Sequence, residues 1–152
     1  RAGTGGAFYV EQLYETQTWG GSAGVPNPRL QAYIDAARRG ARVRILLNGG
    51  MFNIAYIPLE ENVETVEYVN ALADREGLDM KAQLGDPTEY GIHNKMVLVD
   101  LGAAGQYAHV GSINGSETAS KVNREMALQV RSSDLFDYLY AMFEYDWAHR
   151  SP

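Results

Sequence analysis

Hydrophobic and polar positions along this chain follow two periods, and the places where one gives way to the other divide it into strands and helices. Residues 7–14 (AFYVEQLY), dense in aromatic and apolar side chains, predict a buried strand, and residues 16–25 a Gly/Ser/Thr loop. Asn27 is a good N-cap, Pro28 suits the first helical position, and Leu30, Ile34 and Ala37 fall on one face with Tyr33 beside them. Gly40 ends that helix, and residues 42–47 (RVRILL) form the next strand. The opening third is therefore a β-α-β unit, which implies parallel strands joined by a right-handed crossover.

Asn48-Gly49-Gly50 interrupts the pattern, and residues 51–58 make an apolar loop. Asn62 is expected to cap a second helix, with Val63, Val66, Val69 and Leu72 as its apolar stripe and Gly77 at its end. A short strand is predicted over 79–83, a turn at Asp86-Pro87-Thr88, and strands over 95–100 (KMVLVD), 107–110 and 125–130 (EMALQV). Ser133 caps a closing helix that runs to about Trp147, with Leu135, Phe136, Leu139, Met142 and Phe143 on its buried side. There is no internal repeat. The fold class is α/β, a mixed central sheet flanked by helices on both faces.

Composition adds limits. The 152 residues suffice for one domain with a real core, placed at 7–150, and residues 1–6 (RAGTGG) read as a linker or the ragged start of a piece cut from a longer chain. No apolar run approaches the roughly 20 residues that span a bilayer. With no cysteine there is neither a disulfide framework nor a thiolate metal site, and the compartment stays open, a secreted or cell-envelope setting being the expectation. A net charge of -6 with no block of lysine or arginine argues against a sequence-blind nuclease, which draws on a basic surface, although a local basic cleft can sit on an acidic protein.

Candidate chemistry concentrates in one region. Residues 93–100 read HNKMVLVD: His-x-Lys, then four residues, then Asp. On a strand, His93 and Lys95 point to the same face. An imidazole beside a fixed ammonium suits a phosphodiester, whose transition state gathers charge on its oxygens. Asp100 has the opposite parity and reads as a brace of nearby backbone. Downstream comes Gly111-Ser112-Ile113-Asn114-Gly115-Ser116, whose glycines permit close backbone approach and whose Ser112 and Asn114 can bind phosphate oxygens or hold a catalytic side chain. Glu125, expected to open the next strand, can accept the Nδ1 proton of an imidazole and sharpen Nε2 as a nucleophile. His109 and His149 are read as structural, and Trp19 and Tyr90, both in loops, as packing residues rather than cleft residues. No His/Asp/Glu cluster has metal-ligand spacing, and no phosphate-binding glycine loop follows a strand, so neither metal nor cofactor is expected.

The series HNKMVLVD, GSINGS and NRE resembles the HKD motif of the phospholipase D superfamily with its downstream Gly-Ser-x-Asn and acidic position. The likeness extends over nearly the whole chain, since the first strand and the helix-strand unit ending in Leu47 are similar to the start of a family half. One departure is the longer stretch from Leu101 to Gln106, which reads as a lengthened hairpin turn. The resemblance implies metal-free exchange at phosphorus in two steps, with two such motifs face to face: one histidine forms a phosphohistidine and the other protonates the leaving alcohol. Carried onto this chain, His93 is nucleophile or acid and Lys95 and Asn114 bind phosphate. Ser112 supports substrate binding, Glu125 orients a histidine, and Asp100 and Gly111 are structural. A second half is required, in the same polypeptide or as a homodimer, and this half corresponds to the C-terminal one of a two-motif enzyme.

Three functions compete on these grounds. The first is hydrolysis or transfer of a phosphatidyl or related diester, with contact to a membrane surface. The second is a dimeric, metal-independent endonuclease of the same superfamily, which the acidic balance disfavours. The third is a catalytically silent half kept as a scaffold, which has no chemical reason to retain His93, Lys95 and Asn114 together.

Overall fold

The computed structural model describes residues 3–20, 24–50, 59–87 and 91–149. The elements are β1 (Ala7–Gln12), β2 (Thr18–Trp19), β3 (Val25–Pro26), α1 (Pro28–Arg38), β4 (Arg42–Asn48), α2 (Leu59–Glu76), β5 (Met80–Gly85), β6 (Lys95–Asp100), β7 (Gln106–Gly111), α3 (Glu117–Lys121), β8 (Ala127–Arg131) and α4 (Ser133–Ala148). Six strands form one sheet in the order β5-β4-β1-β6-β7-β8, and β2 and β3 pair separately. The two crossovers make β1, β4 and β5 parallel. From β1 onward the sheet is an antiparallel meander through β6, β7 and β8. The sheet is thus mixed, with helices on both faces, as the alternation of patterns predicts.

Period-two alternation assigns the faces. Val10, Val43, Ile45, Leu47, Ala82 and Val97 turn toward Leu30 and Ile34 of α1 and Val69 and Leu72 of α2. Tyr9, Leu46, Met96, Leu98 and Ala108 turn the other way, onto Phe136 and Phe143 of α4. Tyr9 is the hub of that second core, with ring centroids 4.5 Å from Tyr140 and 5.4 Å from Phe143. Asn27 caps α1 through Arg29 N–H (2.9 Å), and Gly40 leaves the helix at φ +90°, a conformation that glycine adopts without strain. Residues 3–6 form a turn held by Gly6 N–H on the Gly3 carbonyl (2.8 Å), and the Gly6 carbonyl accepts from Arg42 N–H (2.9 Å).

Several expectations need correction. α2 begins at Leu59, because Glu60 and Glu61 complement the helix dipole in its first turn, so Asn62 is interior and does not cap it. Val63 is 37% exposed and leaves the stripe to Val66, Val69, Leu72 and Ala73. Ser132, rather than Ser133, caps α4: its extended backbone lets Oγ accept from Leu135 N–H (3.2 Å). Met142 is 42% exposed, since α4 carries more apolar residues than one face can bury. Residues 125 and 126 precede β8 instead of opening it, and the short α3, capped by Ser116, lies where no helix was expected. The loop over 16–25 contributes the two-residue β2 and the start of β3. The expected apolar loop over 51–58, Thr88 of the predicted turn and Tyr90 lie outside the described residues. Among the described residues no helix is long and apolar enough to cross a membrane.

Candidate active site

The histidine segment is placed by the ends of three strands. Lys95 begins β6 opposite Gln12, the last residue of β1. His93 and Asn94 lie just before the strand, not within it as the alternation suggested, because their backbone is bound elsewhere. Ile92 N–H donates to the side chain of Asn48 at the end of β4 (2.7 Å), and the Asn94 carbonyl accepts from Leu13 N–H (3.0 Å). The Asn94 amide also donates to Glu11 Oε1 (2.7 Å). His93 therefore projects, exposed, from a segment tethered on both sides.

Lys95 is only 8% exposed, and its Nζ donates to the His93 carbonyl (2.6 Å). The two residues line a small cleft of about 220 Å³ with Gly111, Leu139 and Met142. Partial burial and then the Lys95 charge both push the His93 pKa below its usual value. Both effects favour the neutral imidazole, the form with a lone pair to use on phosphorus. Burial likewise lowers the Lys95 pKa, opposed by the field of Glu125. Lys95→Met is expected to raise the titration midpoint of His93, read from its ring resonances by NMR; an unchanged midpoint would show that the ammonium does not act on this ring.

Glu125 is engaged by Ser112 Oγ–H and by the Asn123 amide (3.1 Å). Those bonds, Ser112 first, draw its pKa down, and Lys95 adds to the effect. Ser112 Oγ in turn accepts from Met126 N–H (3.1 Å), so the serine closes the gap between β7 and the segment entering β8. Among the described residues the ring of His93 has no hydrogen-bond partner, and the carboxylate faces Ser112 and Asn123. Gly111 is required by close approach: a Cβ there would overlap the Met126 carbonyl and Ala127.

Asn114 rides on a loop stitched from beneath by residues the sequence reading did not single out for the site. Its carbonyl accepts from Arg29 Nη1 (2.8 Å), and Gly115 N–H donates to the Tyr14 carbonyl (2.7 Å). The Gly115 carbonyl accepts from the Asn27 amide (3.0 Å) and Trp19 Nε1 (3.4 Å), which makes Trp19 a buried support of the loop. Glu15, fully buried, accepts from Asn27 Nδ2 (2.5 Å) and lies 3.9 Å from Arg29 Nη2. Burial raises its pKa to about 7 despite Arg29. The interior residue Asn62 spans three backbone groups, donating to Leu13 and Asn48 and accepting from Glu15 N–H. The signal for this network was polar residues inside otherwise apolar runs, Glu11, Gln12 and Glu15 above all. A Cβ on Gly115 would overlap the Glu15 carboxyl. Gly115→Ala is thus expected to cost about 1–3 kcal/mol or more in urea unfolding, as overpacking does against a group that cannot move; a wild-type midpoint would mean that the loop has slack.

The structure therefore gathers His93, Lys95, Ser112 and Glu125 at one end of the sheet, with the Asn114 loop beside them. The Asn114 side-chain oxygen is enclosed without a partner among the described residues, so local bonding does not consume it. Asp100 lies at the other end of β6, roughly 17 Å from Lys95 at strand spacing. There its carboxylate accepts from Gly102 N–H (2.7 Å) and the Gln106 amide (3.1 Å) across the lengthened hairpin. His109 is on β7 and lines a groove with Arg29, Tyr33 and Gln129 that also reaches Asn123 and Glu125. A fixed ammonium, a neutral imidazole and a carboxylate-anchored hydroxyl are groups able to bind a phosphate and attack it.

A family model described as "Cardiolipin synthase, PLD-like domain" matches residues 19–147. No curated protein matches the chain in sequence. Among solved structures, the fold is similar to NucT from Helicobacter pylori at 13% identity and TM-score 0.65, over 95% of this chain and 80% of that one. It is similar to Nuc from Salmonella typhimurium, described as a phospholipase D family member, at 17% identity and TM-score 0.66, over 99% of this chain and 82% of that one. A polyphosphate kinase from Porphyromonas gingivalis shares the fold at 18% identity and TM-score 0.60, over 96% of this chain but 22% of the kinase.

Proposed function

Since the chain belongs to the phospholipase D superfamily, we propose that it is a phosphodiesterase half whose His93 either forms a phosphohistidine intermediate on a phosphatidyl-type diester or protonates the alcohol that leaves as that intermediate forms. The reading rests chiefly on one observation: the buried Lys95 ammonium is held at the His93 carbonyl and within the field of Glu125. In the first step an imidazole Nε2 attacks phosphorus and the bond to the alcohol oxygen breaks. The imidazolium of the other half gives its proton to the departing oxygen. Water, or a second alcohol, then attacks phosphorus and breaks the P–N bond, and the partner imidazole takes the proton of the attacking group. Lys95 and the amide of Asn114 are assigned to the non-bridging oxygens, where charge grows in the transition state. Asp100 keeps a supporting role at the hairpin.

A lipid substrate is favoured over nucleic acid by two features. The net charge is -6, and the surface around the His93 cleft carries apolar side chains: Leu139 and Met142 line it, Tyr138 and Tyr145 are exposed on α4, and Met126 just before β8 and Leu128 on it are exposed as well. The test is turnover of phosphatidylglycerol vesicles against single-stranded DNA, with the chain supplied with its second half and EDTA present. Lipid turnover that survives chelation is expected, because the assigned groups are imidazole, ammonium and amide. Activity on DNA alone, or activity lost to EDTA and restored by a divalent cation, would overturn the assignment.

A further inference from the structure

The strand that supports the histidine carries a buried acid. Glu11 faces α4 from β1, and its cross-strand neighbours, Leu46 on β4 and Met96 on β6, are apolar. The side chain is fully buried. Oε1 accepts from the Asn94 amide (2.7 Å), while Oε2 is enclosed and has no donor among the described residues. The group that meets it is another acid, Asp146 near the end of α4, within hydrogen-bonding reach, with His149 beyond it. Two ionised carboxylates in such a place repel each other at low dielectric. With one proton between them they form a short charge-assisted bond, and the enclosed oxygen is satisfied.

We propose that Glu11 and Asp146 share a single proton and act as a positioning pair, holding Asn94 and so the backbone on either side of His93, a role that rests on His93 being the reacting imidazole. Asn94 is the residue between the histidine and the lysine of the motif, and its two tethers lead to β1 and its end: its amide to Glu11 on the strand and its carbonyl to Leu13 just after it. Asp146 extends the link to α4, the helix whose Leu139 and Met142 wall the cleft. The pair thus joins the floor, the wall and the motif through one proton.

Burial, followed by the charge of Asp146, raises the Glu11 pKa from 4.5 to about 7, and burial raises that of Asp146 as well. The folded state then holds a proton that the unfolded chain releases above pH 4.5, so this contribution to stability is complete below that pH and is lost as pH rises through about 7. Glu15 declines over the same window, so only a comparison with a Glu11 variant isolates the pair.

The experiment uses Glu11→Gln, Glu11→Leu and wild type, with readouts that need no turnover. Gln retains an acceptor for Asn94 and offers Asp146 an N–H. Glu11→Gln is expected to stay folded with wild-type resonances for His93 and the Asn94 amide, to weaken the protonated-carboxyl stretch expected in wild-type infrared spectra at pH 7 to the part that Glu15 supplies, and to show a shallower fall in stability between pH 5 and 7. Glu11→Leu is expected to shift both resonances and to speed exchange of the Asn94 amide by roughly tenfold, as a local opening does. A carboxyl band of equal strength in wild type and Glu11→Gln, or parallel stability curves for the two, would overturn the shared proton. Unmoved Asn94 and His93 resonances in Glu11→Leu would overturn the positioning role, and if Glu11→Leu does not fold, displaced resonances in Glu11→Gln would do so. If these spectra come out as expected while His93→Ala keeps its turnover, the pair stands and the functional reading falls.

Discussion

His93→Ala is expected to lower turnover by roughly 10⁴-fold or more while leaving the fold intact. The side chain is exposed and, among the described residues, carries no hydrogen bond, so its removal disturbs little packing. Chemically it leaves a gap that nothing fills. Lys95 is pinned to a backbone carbonyl, Ser112 is committed to Glu125, and His109 sits on β7 outside the cleft that His93 and Lys95 line. Steady-state turnover together with an unfolding midpoint checks this, and activity within tenfold of wild type would remove His93 from the chemistry.

The second large effect concerns the partner half. Exchange at phosphorus in this scheme needs a nucleophile and an acid at the same moment, and one imidazole cannot do both. The chain held as a monomer is expected to show less than roughly 1% of the turnover seen when a second motif is present, the loss of one acid–base group being worth that much or more. Assays across protein concentration beside sedimentation separate the cases: specific activity that climbs with dimer population supports a homodimer, and activity restored by adding a separate half supports a two-motif enzyme. Full turnover from a demonstrated monomer would end the two-half account.

Much of the fold was legible because its local rules agree with its tertiary ones. The apolar run over 42–47, the Asn27-Pro28 cap and the KMVLVD strand are each specified by neighbours in sequence, and the structure forms them there. The motif residues stood out for a related reason, since residue type and short spacing are what single out candidate chemistry in a sequence. What was not legible is long-range. Asn62 looks like a cap in sequence and is a buried clamp in space, because what it binds comes from Leu13, Glu15 and Asn48. Glu11 stands out in sequence as an acid inside a strand expected to be buried, but its partner Asp146 is found only when the sheet and α4 bring the two together. Glu15 and Arg29 support the Asn114 loop from the far side, across a separation no periodicity encodes. Met142 was misplaced because α4 is apolar on more than one side, and the pattern alone does not say which side meets the sheet.

The most direct test of the central claim is to quench the complete enzyme in mid-turnover and locate the phosphoryl group. The account predicts an acid-labile adduct on a histidine, either His93 or its counterpart in the other half, formed and consumed at rates that match turnover. A phosphoryl group on serine, or no covalent species under single-turnover conditions, would contradict it.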